Sequence, residues 1–280
     1  MLLLATEAGE LVKLNTETKE HQLLFKSNVK DAFMGIAIHG EHLFLATLER
    51  VYKLSLASWQ PVGMTETYRP SPDFHQMQIY DERLYTTITK RNQIWVYDLD
   101  LNLVEIHHIT PPFPGKKVVY KKNYNHINNI VKRDGKFYIN LNWFTSTPYA
   151  SSGVAVLNEQ FKLLEKFEFS WESHDFQFVD DDMVALCACS SKRKKIMHPN
   201  KAGLWVNNEL VFEHNPDTVF CKGLTYNDRY YYLCGGKKKT RVLRRTANGV
   251  IYIVDRQTYK LVETIDTNHI KAIKGCLWID

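Results

Sequence analysis

Four histidines stand at near-constant intervals along the chain. His75, His126, His174 and His269, with Cys221 between the last two, are separated by 51, 48, 47 and 48 residues, and Met34 extends the series backwards. Neutral imidazoles drawn together from separate segments are common ligands of Fe, Zn or Mn, and three or four of them leave a position open for water or substrate. The spacing therefore predicts a divalent metal on His75, His126, His174 and His269. Acids stand close by: Asp73 precedes His75 by two residues, Glu172 precedes His174 by two, and Asp175 follows it directly. Asp73 or Glu172 would orient an imidazole through its second nitrogen, or act as general base on a metal-bound water. Cys221 reads either as a thiolate ligand or nucleophile, or as a small buried hydrophobe. Asn125, Asn128 and Asn129 offer donors to a developing oxyanion or to backbone at a strand start. The competing explanation of the series is inheritance, because copied repeats keep a histidine that only bonds a neighbouring repeat.

The elements that must position these residues are short strands. No segment sustains a helical apolar period, and strand-like runs recur in sets of four between turn residues. The clearest set reads His75–Tyr80, Leu84–Ile88, Gln93–Asp98 and Leu103–Ile106. The same order is followed through Gly35–Val62, after His126, after His174 and after Cys221. The ends are partial copies: Leu2–Ala5, Leu11–Leu14 and Gln22–Phe25 lack a first strand, which His269–Ile273 supplies. Four-stranded copies of roughly 40 to 50 residues have the period of propeller blades. The chain resembles a β-propeller, loosely of the six-bladed sugar-lactonase, NHL and arylsulfotransferase type. The WD dipeptide and the Gly-rich kelch pattern are missing. The resemblance implies an all-β fold of six four-stranded antiparallel blades over residues 1–280, one domain closed by N- and C-terminal strands in a shared blade. It also implies that the first strand of each blade lines a central channel, so the histidine series would ring its mouth. Carotenoid oxygenases are similar in this respect alone, with a ring of histidines on the propeller axis.

Charge is distributed unevenly over the copies. Residues 111–125, 190–201 and 235–248 hold 15 Lys and Arg and no acid, while the whole chain carries +5, so the remainder is near −10. Lys116 and Lys117, Lys192 and Arg193, and Lys237, Arg241 and Arg244 lie in these segments. The strand reading puts the first segment in a connection between blades and the other two between second and third strands, loops that share a face in a propeller. A positive rim over the channel would attract an anionic small molecule, with nucleic acid or an acidic protein as the alternative partner. Arg69, in another connection between blades, would clamp an anionic group.

Composition removes other classes. With 44% hydrophobic and 24% charged residues the chain is neither disordered nor fibrous. Five cysteines without a CxxC argue against a disulfide framework or a zinc ribbon, and a reducing cytoplasm is the expected compartment. The opening MLLLA is too short for a signal peptide or a membrane span, and no HExxH, GxSxG or Gly-rich phosphate loop is present. The expected activity is hydrolysis, elimination or metal-dependent oxidation of an anionic small molecule. A propeller that only binds through its basic face is the second expectation, and a metal-free enzyme using one histidine as acid, base or nucleophile is the third.

Overall fold

The computed structural model describes residues 1–27, 32–109, 124–144, 151–188, 202–237 and 241–280. Blade I joins both ends of the chain, pairing β1 (Leu2–Thr6), β2 (Glu10–Leu14) and β3 (His21–Lys26) with β24 (Ile273–Trp278). Blade II holds β4 (Gly35–His39), β5 (His42–Ala46), β6 (Val51–Ser55) and β7 (Pro61–Met64). Blade III holds β8 (Phe74–Tyr80), β9 (Arg83–Ile88), β10 (Gln93–Asp98) and β11 (Leu103–His108). Blade IV holds β12 (Ile127–Arg133), β13 (Lys136–Leu141), β14 (Ser151–Asn158) and β15 (Leu163–Trp171). Blade V holds β16 (Ser173–Val179), β17 (Asp182–Cys187), β18 (Ala202–Val206) and β19 (Glu209–His214). Blade VI holds β20 (Val219–Tyr226), β21 (Tyr230–Lys237), β22 (Asn248–Asp255) and β23 (Leu261–Lys271). The six innermost strands touch in the closed order β24, β4, β8, β12, β16, β20 and back to β24. The fold is thus the all-β, six-bladed propeller that the repeat implies.

Alternation along each strand supplies the packing. In β1, Leu2 and Leu4 enter the core shared with blade VI, whereas Leu3 and Ala5 enter the core shared with blade II. Successive side chains point to opposite faces, and a blade covered on both faces buries them all. Every one of the six blade interfaces has its own such cluster. Close approach at the centre relies on glycine. A Cβ on Gly35 would stand 2.4 Å from the His75 carbonyl oxygen, so no other residue fits between β4 and β8. Among the described residues no helix is long and apolar enough to cross a membrane.

One strand departs from the sequence expectation. His269 belongs to the outer strand β23, exposed and stacked on His21 of β3 with 5.8 Å between ring centroids. The first strand of the closing blade is β24, which begins four residues later. The cause is the length of β23: at 11 residues it carries His269 along the outer edge before the chain turns inward.

The face above the channel can be read from hydrogen bonds between loops. The Asp73 N–H donates to the Leu48 carbonyl at 3.2 Å, Trp143 N–H to Asn125 at 3.0 Å, Ala188 N–H to Glu172 at 3.3 Å, and Ala272 N–H to Ala247 at 2.9 Å. Each bond joins a connection between the second and third strands to the segment entering an innermost strand. The two loop types therefore share one face.

Candidate functional site

At that face the innermost strands are not regular. In five of the six, the pairing with the second strand slips by one residue: between Phe74 and Met77, Ile127 and Asn129, His174 and Gln177, Cys221 and Gly223, and opposite Ala5 and Thr6 at Lys274. An extra residue in one strand of an antiparallel pair bends the strand and re-aims a side chain. Residues at or beside these slips line one axial cavity: His75 and Gln76, Asn128, His174 and Asp175, Lys222, and Lys274, with Met34 just before the regular sixth strand. The enclosed part of the cavity is about 10 Å³, room for roughly one water molecule, and it opens to solvent at its mouth.

His75 is buried, and its tautomer follows from its partners. The Thr89 hydroxyl donates its only proton to the Ile127 carbonyl at 2.6 Å, so at 2.9 Å from His75 Nδ1 it can only accept. Nδ1 therefore carries the ring proton and Nε2 keeps its lone pair. Burial, reinforced by the charges of Lys222 and Lys274, pulls the His75 pKa down to about 3, so the ring is a neutral base at physiological pH. Asp73 is not its orienting partner, since the carboxylate oxygen stands 3.8 Å from Nδ1 and the Asp73 backbone carbonyl is nearer at 3.4 Å.

His174 is held among amides. Asn140 Nδ2 donates to Asn128 Oδ1 at 2.7 Å, and Asn128 Nδ2 donates to the Ser173 carbonyl at 2.7 Å and to His174 Nδ1 at 3.1 Å. The other ring nitrogen of His174 faces Asn142 Nδ2 at 3.4 Å. Burial and the neighbouring Lys222 charge keep this imidazole neutral as well. Asn125 and Asn129 serve backbone instead, donating to the carbonyls of Trp143 and Phe176.

Asp175 ties three blades together. Its carboxylate accepts from Gln76 Nε2 of blade III and, at 2.7 Å, from the Leu224 N–H of blade VI. Burial nevertheless raises its pKa to about 7, against the opposing pull of those two donors and Lys222.

The two lysines differ in their partners. Lys274 pairs with Glu7 at 2.8 Å, both side chains nearly enclosed at 9% and 10% exposure. Lys222 is half-buried and has no hydrogen bond or ion pair among the described residues. Burial, followed by the charges of Lys274 and Arg244, drives its pKa well below the ordinary lysine value, while Glu172 and Glu7 pull the other way.

The predicted residues thus divide. His75 and His174 come to the cavity. His126 lies just before β12 with a positive φ of 50°, the position held in blades III and V by Asp73 (65°) and Glu172 (43°). It is therefore the counterpart of those acids, and Asn128 is the counterpart of His75. Its ring does lie 5.5 Å from that of His75. Cys221 is fully buried in the core between blades V and VI, and burial pushes its thiol pKa well up, so it is the small hydrophobe of the two readings. His269 is on the outer edge. Arg244 stacks over Phe220 at 4.8 Å, close enough to act on Lys222 and Glu7. Lys237 pairs with Asp266 at 3.3 Å, and Arg69 is exposed. Lys116, Lys117, Lys192, Arg193 and the Arg241 side chain lie outside the described residues.

The residues present do not fit a divalent cation. Among the described residues no three His, Cys, Asp or Glu side chains come together to hold a metal. His174 faces amides at both nitrogens, and two lysines project where a cation would sit.

Sequence reasoning missed Lys222, Lys274, Gln76 and Thr89. A signal existed for the lysines: Lys222-Gly223 and Lys274-Gly275 each place a charge inside an otherwise apolar strand. A Cβ on Gly223 would meet Cys276 Sγ at 3.2 Å, so the glycine permits β20 to approach β24 beside the lysine.

No family model and no curated protein sequence matches the chain. Solved structures do. A protein of unknown function from Bacteroides caccae is similar with a TM-score of 0.68 at 12% identity, over 99% of this chain and 97% of that one. A chain of a nidogen/laminin complex gives 0.67 at 11% identity over 99% and 97%. The β-propeller domain of Myceliophteria thermophila Cps50 (Swd1) gives 0.57 at 10% identity over 95% and 82%. At these identities the likeness is one of fold: the chain has a β-propeller architecture.

Proposed function

We propose that the chain binds and acts on a small anionic molecule in the axial cavity. The observation that carries the reading is Lys222, which lines the cavity with no hydrogen bond or ion pair among the described residues. A half-buried amine without a partner is only partly solvated, and an anion entering the cavity supplies the missing partner. Lys274 and Arg244 add positive field at the same place. Asp175, with a pKa of about 7, can hold or release a proton near neutrality, and the His75 Nε2 lone pair can accept a hydrogen bond from the bound molecule. The reaction thus draws on acid–base chemistry of the chain's own side chains.

Binding is coupled to proton uptake. In the free protein the Lys222 pKa is lowered, and a bound anion raises it. Affinity is therefore highest at low pH, and it falls by up to about tenfold per pH unit between the free and bound pKa values. Calorimetric titration with inorganic phosphate should give one site per chain, with proton uptake seen as a dependence of the heat on buffer ionisation. Loss of binding in Lys222→Met supports the axial site. Unchanged binding in that variant, with a steep fall in salt, would move the site to the basic rim and favour a nucleic acid or acidic protein partner.

A further inference from the structure

We propose that Lys222 forms an imine with a small carbonyl compound that carries an acid group, such as a 2-oxo acid or an aldehyde acid, an inference that rests on the small-anion site above. A lysine attacks a carbonyl only as the neutral amine, and enclosure beside a second cation is one arrangement that produces it. The cavity supplies that arrangement. Lys222 is re-aimed to the axis by its bulge, has no hydrogen-bond or ion-pair partner among the described residues, and shares its lining with Lys274. Lys274, by contrast, is held in an ion pair with Glu7. The same residue type is therefore set to two tasks by its surroundings, one nucleophile and one anchor for the acid group.

The step balances without an oxidant or reductant. The amine nitrogen forms a bond to the carbonyl carbon, and the carbonyl oxygen gains a proton to give a carbinolamine. That hydroxyl then leaves as water while the nitrogen gives up its proton, so amine and carbonyl become imine and water. Asp175 can protonate the departing hydroxyl, and its carboxylate can then accept the nitrogen's proton beside the neutral His75. Both line the cavity with Lys222.

The test uses the whole chain with sodium cyanoborohydride as the trapping hydride donor, and two probes, glyoxylate and acetaldehyde. Peptide mass mapping reads the reduced adduct at Lys222 against that at exposed Lys136. Both probes are expected to label Lys222 at least tenfold faster than Lys136. Lys274→Met should slow glyoxylate but not acetaldehyde. Preference with acetaldehyde alone overturns the acid-bearing substrate class and, with it, the anchoring role of Lys274. No preference with either probe overturns the imine, and the phosphate titration then still judges the anion site separately.

Discussion

Lys222→Met is expected to raise the stability of the free protein while removing its affinity for small anions. Methionine fills the same channel with an unbranched chain and no amine to desolvate. Relieving an unpaired polar group that is half-buried contributes about 1 kcal/mol, the low end of the range for buried groups, and at this chain length the melting temperature should rise by roughly 2–4 °C. A hydrogen bond to a charged group contributes about 1.5–3 kcal/mol, so phosphate affinity should fall by roughly 10- to 100-fold. Opposite signs in the two measurements distinguish a binding amine from a structural one. A lysine that held the blades together would lose stability on substitution and leave ligand binding to others. Thermal unfolding and calorimetry on one pair of proteins decide the matter.

Acid should unfold the protein steeply below pH 6.5. His75, with a folded pKa of about 3, and His214, at about 4, stay neutral in the fold because of burial, and His174 is lowered for the same reason. In the unfolded chain all three take up protons as pH falls through 6.5, so their contribution to stability is present above that value and is lost towards the folded pKa values. Asp175 works against them. Its folded pKa of about 7 exceeds the unfolded value of 3.8, so its contribution is greatest below 3.8 and is lost as pH rises through 7. Three protons gained against one lost leave about two more on the unfolded chain, or about 2.7 kcal/mol per pH unit between 6.5 and 4. That corresponds to a fall in melting temperature of roughly 5–10 °C per unit. His214 allows a clean test, since its ring is buried and stacks on Tyr252 at 5.6 Å. His214→Phe should keep that stacking and reduce the slope by about half. An unchanged slope would mean that the buried histidines do not control acid unfolding.

The blades were legible in the sequence because alternation is a local property. Gln93–Asp98 reads as a strand from its own residues and is one. The site was legible only in part, because bulges break the alternation where the chemistry sits. His75 and His174 were found by their spacing. His126 has a similar spacing, but it stands before its strand, and the bulge at Asn128 puts the amide on the axis in its place. Cys221 drew attention as a reactive type, while the extra residue that the bulge turns to the axis is its neighbour Lys222. Lys274 was hidden because the unusual length of β23 displaced the whole blade entry. The partners that set protonation, Thr89 for His75 and Glu7 for Lys274, come from other strands and loops. No spacing rule could have paired them.

The most direct test of the central claim is an anomalous difference map from crystals soaked in selenate, a heavy analogue of a small oxyanion. The account predicts a selenium peak on the propeller axis, with a selenate oxygen within hydrogen-bond distance of Lys222 Nζ, and no axial peak in Lys222→Met crystals. Selenium bound only along the outer rim, with the axial cavity empty in the wild type, would contradict it.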